Sequence, residues 1–230
     1  MKIIVLDEID STNDYLKREY RNMPAYTCVL AKKQTAGKGR RGHIWQSDDN
    51  QNLTVSFLYK DIENVQDVWK YTLIAAKSIM ELLMENDINT KIKWPNDIYV
   101  NDQKICGILV ETILDPYLKG VIIGIGLNVN HATPYICMKD ITKKHYDVTE
   151  LLLQLILYLN QNMELYYNHC FFNILKYVND LSYLKDKWIK YKDYGMVNFQ
   201  KLNEQGKIEF IDKKGNVYQE MINVITLSDK

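Results

Sequence analysis

A short apolar run at residues 3–6 opens the chain as a strand, and Ser11-Thr12-Asn13-Asp14 has the spacing of a capping box, which predicts a helix to about Tyr20. Residues 27–33 and 53–59 read as strands, the second with Leu53, Val55 and Phe57 alternating toward one side. The long polar stretch between them is a loop. From Asp61 to Asn86 the positions Val65, Val68, Trp69, Leu73, Ala76, Ile79, Met80 and Leu83 recur at helical spacing, which predicts one amphipathic helix packed on a sheet. Strands are expected again at about 91–94, 98–100, 105–113 and 121–129, with Asn101-Asp102-Gln103 turning a hairpin. A second helical region runs from about Val148 to Asn168. Beyond Trp188 the runs become short and β-prone, at 196–202, 207–211 and 217–226, separated by Gln205-Gly206 and Lys213-Lys214-Gly215, which predicts a small β domain.

Composition narrows the class. A chain of 230 residues, 47% hydrophobic and 25% charged, buries one sizeable core and a small satellite domain, so disorder is not expected. Its 29 Lys and Arg balance its 29 Asp and Glu, so it lacks the basic surplus of a nucleic-acid binder. Cys28, Cys106, Cys137 and Cys170 are scattered and no histidines stand at ligand spacing, which argues against a disulfide framework or structural zinc and for a reducing cytoplasm. The apolar stretches are too short to cross a bilayer, and no secretion signal is read.

Three segments carry candidate chemistry. Between Ala31 and Ser47 there are five lysines or arginines and no acid, around the loop Gln34-Thr35-Ala36-Gly37-Lys38-Gly39-Arg40-Arg41-Gly42-His43-Ile44-Trp45. Its glycines let backbone approach a ligand and its cations suit phosphate or carboxylate oxygens. The G-x-G-x-x-G match there is accidental, since no apolar helix follows it. The second segment is Lys93-Trp94-Pro95-Asn96-Asp97, continued by residues 104–111. Trp94 and Pro95 read as structural, whereas Lys104 opens an apolar strand beside Gly107, where a cation is costly unless it meets an anion. In the third, alternation along residues 124–130 sends Gly124, Gly126, Asn128 and Asn130 to one face, so that a flat ligand could lie over the glycines with Asn128 at its edge; close strand packing explains the same glycines equally well.

In order and spacing, Ser11-Thr12-Asn13, the loop of residues 37–42, residues 93–97, 104–111 and 124–130 resemble the motifs of biotin protein ligases. The match is close over roughly residues 3–130 and holds only in outline beyond. The resemblance implies an α+β fold, a mixed β-sheet backed by helices of the class II synthetase-like kind, followed by a small SH3-like β-barrel; residues 1–188 would form the catalytic domain and 189–230 the small one. It implies that Ser11, Thr12, Asn13 and Gln34 line a biotin pocket, with Gly37, Lys38, Gly39 and Arg40 closing over it and Gly107 and Gly124 beneath. Arg40, Arg41, Trp45, Lys93, Asp97, Lys104 and Asn128 would serve ATP, with Trp45 bordering the adenine and Lys104 between the biotin carboxylate and the α-phosphate. Lys38 stands where many relatives carry arginine and loses the bidentate fork.

The activity so implied uses ATP with Mg²⁺ to form biotinyl-AMP, with Lys104, Arg40 and Lys38 as catalytic cations, then transfers biotin to a lysine of a biotin carboxyl carrier protein. No metal ligands are assigned. Relatives that repress transcription carry an N-terminal helix-turn-helix, whereas this chain opens on the catalytic domain's first strand, so no operator binding is expected. Relatives often dimerise through a strand edge; the sequence leaves dimerisation open, as it does the identity of the carboxylase. The rivals are a lipoate ligase of the same fold, a nucleic-acid module stacking bases on Trp45, and a non-catalytic biotin-binding protein.

Overall fold

The computed structural model describes residues 1–46, 50–60, 62, 64–132 and 134–221. Seven strands form one mixed sheet in the order β1-β2-β3-β7-β6-β5-β4. These are β1 (Lys2–Ile9), β2 (Thr27–Gln34), β3 (Leu53–Tyr59), β4 (Lys91–Lys93), β5 (Asp97–Val100), β6 (Gln103–Leu114) and β7 (Leu118–Leu127). β1 and β2 run parallel and every other pair antiparallel. The parallel pair requires a crossover, which α1 (Thr12–Glu19) supplies.

Alternation on the central strands divides two cores. Leu53, Val55 and Phe57 turn to the face covered by α2 (Val68–Glu85) and α4 (Val148–Tyr167), while Leu58 and Ile122 pack with Leu16 of α1 on the other. The helix expected from Asp61 begins only at Val68: residues 65–67 form a 3₁₀ turn capped by the Asn64 side chain, and Val65 is exposed. Asp61 lies outside the described residues. The Asn101-Asp102 turn has both residues at positive φ, 47° and 62°, the conformation a two-residue hairpin requires. Two short helices were not expected, α3 (Met138–Thr142) and α5 (Phe171–Asp180).

A second, antiparallel sheet joins β8 (Trp188–Lys190), β9 (Met196–Leu202), β10 (Lys207–Asp212) and β11 (Val217–Met221) in the order β11-β10-β9-β8. The last strand expected, 217–226, ends at Met221 as described, and residues 222–226 lie outside the described residues. Trp94 joins the two sheets. It is buried, donates from Nε1 to Ser182 Oγ at 2.8 Å and stacks on Phe199 of β9. Among the described residues no helix is long and apolar enough to cross a membrane.

Candidate functional site

The site grows from the start of α1. Ser11, extended at φ −154°, caps the helix by accepting from Asp14 N, and this turn buries Thr12 and Asn13 against the sheet. Gln34, the last residue of β2, accepts the Thr12 backbone N–H at 2.8 Å and lies 3.0 Å from its hydroxyl. Asn13 lies on Gly124, where an added Cβ would stand 2.4 Å from Asn13 Oδ1. Its Nδ2 donates to Glu111 Oε2 at 2.8 Å, and Ser56 of β3 sits 2.6 Å from Thr12 Oγ1 and 2.5 Å from Asn13 Oδ1.

Two residues further along β7, Gly126 lies beneath the indole of Trp45, with a built Cβ only 2.2 Å from the ring. The flat group over this glycine is thus the protein's own tryptophan. Gly126 pairs with Gly107 of β6, and Gly107 lies beside Lys104. Lys104 Nζ is 2.8 Å from Asp97 Oδ1 and 5.7 Å from the Trp45 ring centroid, so the anion that makes its position tolerable is internal. Lys93, buried on β4, donates to Tyr99 OH at 3.3 Å, and burial holds its ammonium below the usual lysine range.

The basic loop folds back on itself. Gly39 N donates to His43 O and Trp45 N to Gly37 O, with Arg41 and Gly42 at positive φ in the turn. Gly37 is required by backbone rather than ligand, because a Cβ would meet Trp45 O at 2.4 Å. Lys38 bonds Asp14 of α1 at 2.6 Å, which raises its ammonium above the usual range. Arg40 is half-buried and donates to Asn96 Oδ1 at 3.2 Å; burial, then Arg41, lowers its guanidinium from the ordinary value. Of the five cations counted in this segment, Lys32 and Lys33 belong to β2 and pair with Asp7 and Glu8.

These groups meet in a cleft of about 330 Å³, within the range of small-ligand sites. It is lined by Ser11, Thr12, Asn13, Gln34, Lys38, Gly39, Arg40, Arg41, Trp45, Lys93, Asp97, Lys104, Gly107 and Gly124. Gly37 faces the adjoining wider groove instead. Asn128 does not reach the cleft: its amide donates to Ile136 O at 3.1 Å and fixes the chain after β7. Thr54, Ser56, Asn96 and Glu111 were not among the expected site residues. Thr54 and Ser56 are the polar partners in the alternation of β3, and that pattern was the signal for them. Trp45 Nε1 and Thr54 Oγ1 are buried polar atoms without a hydrogen-bond partner, both on the cleft wall.

Residues 5–128 match the family model described as the Biotin/lipoate A/B protein ligase family, more than half of the chain. The chain belongs to this family. Within it, the chain is 40% identical over 111 residues to the bifunctional ligase/repressor BirA of Bacillus subtilis and 37% over 127 residues to the biotin–protein ligase of Homo sapiens. These alignments take in 47% and 51% of this chain but only 34% and 17% of those proteins. In three dimensions it is similar to a biotin protein ligase from Aquifex aeolicus in complex with biotin and ATP, with a TM-score of 0.84 and 28% identity over 96% of this chain and 95% of that one.

Proposed function

We propose that the chain is an ATP-dependent biotin protein ligase, which forms biotinyl-AMP and passes biotin to a lysine of a biotin carboxyl carrier protein. One observation carries the reading: a single cleft holds small hydrogen-bonding groups over Gly124 and, beyond Trp45 on Gly126, Lys104 beside the paired Gly107 together with the other cations of an anion site. A cyclic urea suits the first end and a carboxylate meeting a triphosphate the second. The orphaned Trp45 Nε1 and Thr54 Oγ1 await a polar partner of this kind. Family relatives bear the name biotin–protein ligase, and a similar fold has been solved with biotin and ATP. A lipoate ligase would need no acceptors for urea N–H groups, and this favours biotin within the family.

In the first step a biotin carboxylate oxygen forms a bond to the α-phosphorus of ATP while the bond to the bridging oxygen breaks and pyrophosphate leaves. Lys104, Arg40 and Lys38 would supply the cations for the charge that grows on the phosphoryl oxygens, with Lys93 beside them toward ATP, and a fixed cation there would stabilise the transition state more than bound biotin. In the second, the carrier amine attacks the acyl carbon, loses a proton and expels AMP. The loop bearing Lys38 and Arg40 would exclude water from the mixed anhydride in between. Magnesium would screen the triphosphate, held mostly by phosphate oxygens and water; among the described residues no three His, Cys, Asp or Glu side chains cluster to hold a metal ion. Four free thiols suit a cytoplasmic setting.

The test is exchange of labelled pyrophosphate into ATP. It should require biotin and proceed without any carrier. Exchange supported by lipoate and not by biotin would move the assignment to the other branch of the family.

A further inference from the structure

We propose that Tyr183, in the segment that joins α5 to the small sheet, is a positioning residue for the nucleotide: with Tyr99 of β5 it forms an aromatic seat that holds the Lys93 ammonium toward the triphosphate end of the cleft. This deepens the ligase reading and rests on it, and on the ATP role given there to Lys93.

Backbone fixes the neighbours. Tyr183 N donates to Ile92 O at 2.8 Å and Ile92 N to Leu181 O at 2.9 Å, so residues 181–183 run parallel to β4 and Tyr183 arrives beside Lys93. On β4 and β5 the side chains of Lys93 and Tyr99 share one face, because Ile92 pairs with Ile98 in the core and Lys93 with Asp97. The Asp97 carboxylate is engaged by Lys104 at 2.8 Å. Lys93 Nζ donates to Tyr99 OH at 3.3 Å and stands 4.8 Å from the Tyr99 ring centroid and 5.6 Å from that of Tyr183, within reach of both ring faces. One long hydrogen bond does not fix a four-carbon stem with three rotatable donors, and the second ring adds the constraint. It also steadies the first, since the two rings lie 5.2 Å apart and tilted by 47°. An aromatic face carries no net charge, so it holds a cation without cancelling the charge that a phosphate meets. Lys187 stands 3.4 Å from the Tyr183 centroid and, like Tyr183, lines a separate hollow behind Tyr99 rather than the cleft. Its repulsion therefore favours Lys93 on the cleft side.

The test is single-turnover formation of biotinyl-AMP by the full-length protein at saturating biotin with ATP varied, for Tyr183→Leu, Tyr183→Phe, Lys93→Met and the double variant Tyr183→Leu/Lys93→Met. Thermal melting controls for structure. Tyr183→Leu should raise the ATP concentration at half-saturation about three- to thirtyfold, the scale of one cation–ring contact, while the rate at saturating ATP stays within about threefold of the parent. Tyr183→Phe should stay within about twofold of the parent, because the ring face remains. In the Lys93→Met background Tyr183→Leu should raise the half-saturation no further, which a general loss of packing would not give. An unchanged half-saturation in Tyr183→Leu, a Phe variant as impaired as the Leu variant, or an undiminished further loss in the Lys93→Met background would overturn the proposal. So would ATP use by Lys93→Met equal to that of the parent. If Tyr183→Leu does not fold, Tyr183→Met takes its place under the same criteria. Failure of the parent protein to form adenylate from biotin would bring down the ligase reading itself, a result distinct from an active parent indifferent to Tyr183.

Discussion

On the proposed reading Lys104 would have two electrostatic duties. At rest it neutralises Asp97 at 2.8 Å, with both side chains about one-quarter exposed (28% and 24%); in adenylation it would serve the phosphoryl oxygens. Loss of the ammonium should slow formation of biotinyl-AMP by ~10²-fold. The same loss leaves Asp97 partly buried without its cation, so Lys104→Met should also melt at a lower temperature. Adding Asp97→Asn should restore the melting temperature and leave the rate low, which separates the two duties. Single-turnover adenylation and thermal melting measure them, and a Lys104→Met rate within about threefold of the parent would remove Lys104 from the chemistry. Arg40 acts later. Half-buried and tied to Asn96, it would on the proposed reading also hold the anionic intermediate under the loop, so Arg40→Gly should release biotinyl-AMP faster in single-turnover assays; unchanged release would place it outside the site.

At the scale of elements, the loop of residues 37–45 is held by its own backbone bonds and by side-chain tethers, among them Arg40 to Asn96 and Lys38 to Asp14 in the first turn of α1. Lys38 is about half exposed (49%), so the pair contributes only ~0.2–1 kcal/mol. Asp14→Asn should therefore lower the melting temperature by no more than about 4 °C while amide exchange over the loop quickens. Unchanged exchange would show that the Lys38–Asp14 pair does not hold it. What the sequence made legible follows the same division between local and distant causes. The strands of the main sheet, the cap at Ser11 and the Asn101-Asp102 turn rest on neighbours in the chain, and pattern located them. The helix α5 escaped because its buried Ile174, Leu175 and Val178 span little more than one turn and follow His169 at positive φ, so no long periodic run announced it. In the site, residue types and order were readable. The link from Glu111 to Asn13 spans 98 positions, and nothing local shows that Trp45 settles on Gly126 or that Asn128 turns to Ile136.

At the scale of the whole molecule the two sheets share one core. Trp94, Val197, Phe199, Leu202 and Phe210 lie in the same buried cluster as the central strands, so the small sheet is not an independent unit tethered by a linker. Its sharpest attachment is polar. Asn179 of α5 donates to Leu202 O at 2.9 Å and accepts from Leu202 N at 2.8 Å, completing both backbone groups of a buried β9 residue. Asn179→Ala leaves that donor and acceptor unpaired, which costs about 1–3 kcal/mol. For a chain of this length each 1 kcal/mol moves the midpoint by ≈ 2–4 °C, so the melt should fall by roughly 2–12 °C. Because the apolar contacts around Trp94 remain, the transition should stay single, with tryptophan fluorescence and far-ultraviolet circular dichroism coinciding. Two resolved transitions in the parent protein would mean that the shared core does not couple the sheets. A second transition appearing only in Asn179→Ala would locate the coupling in this one pair of hydrogen bonds rather than in the aromatic contact.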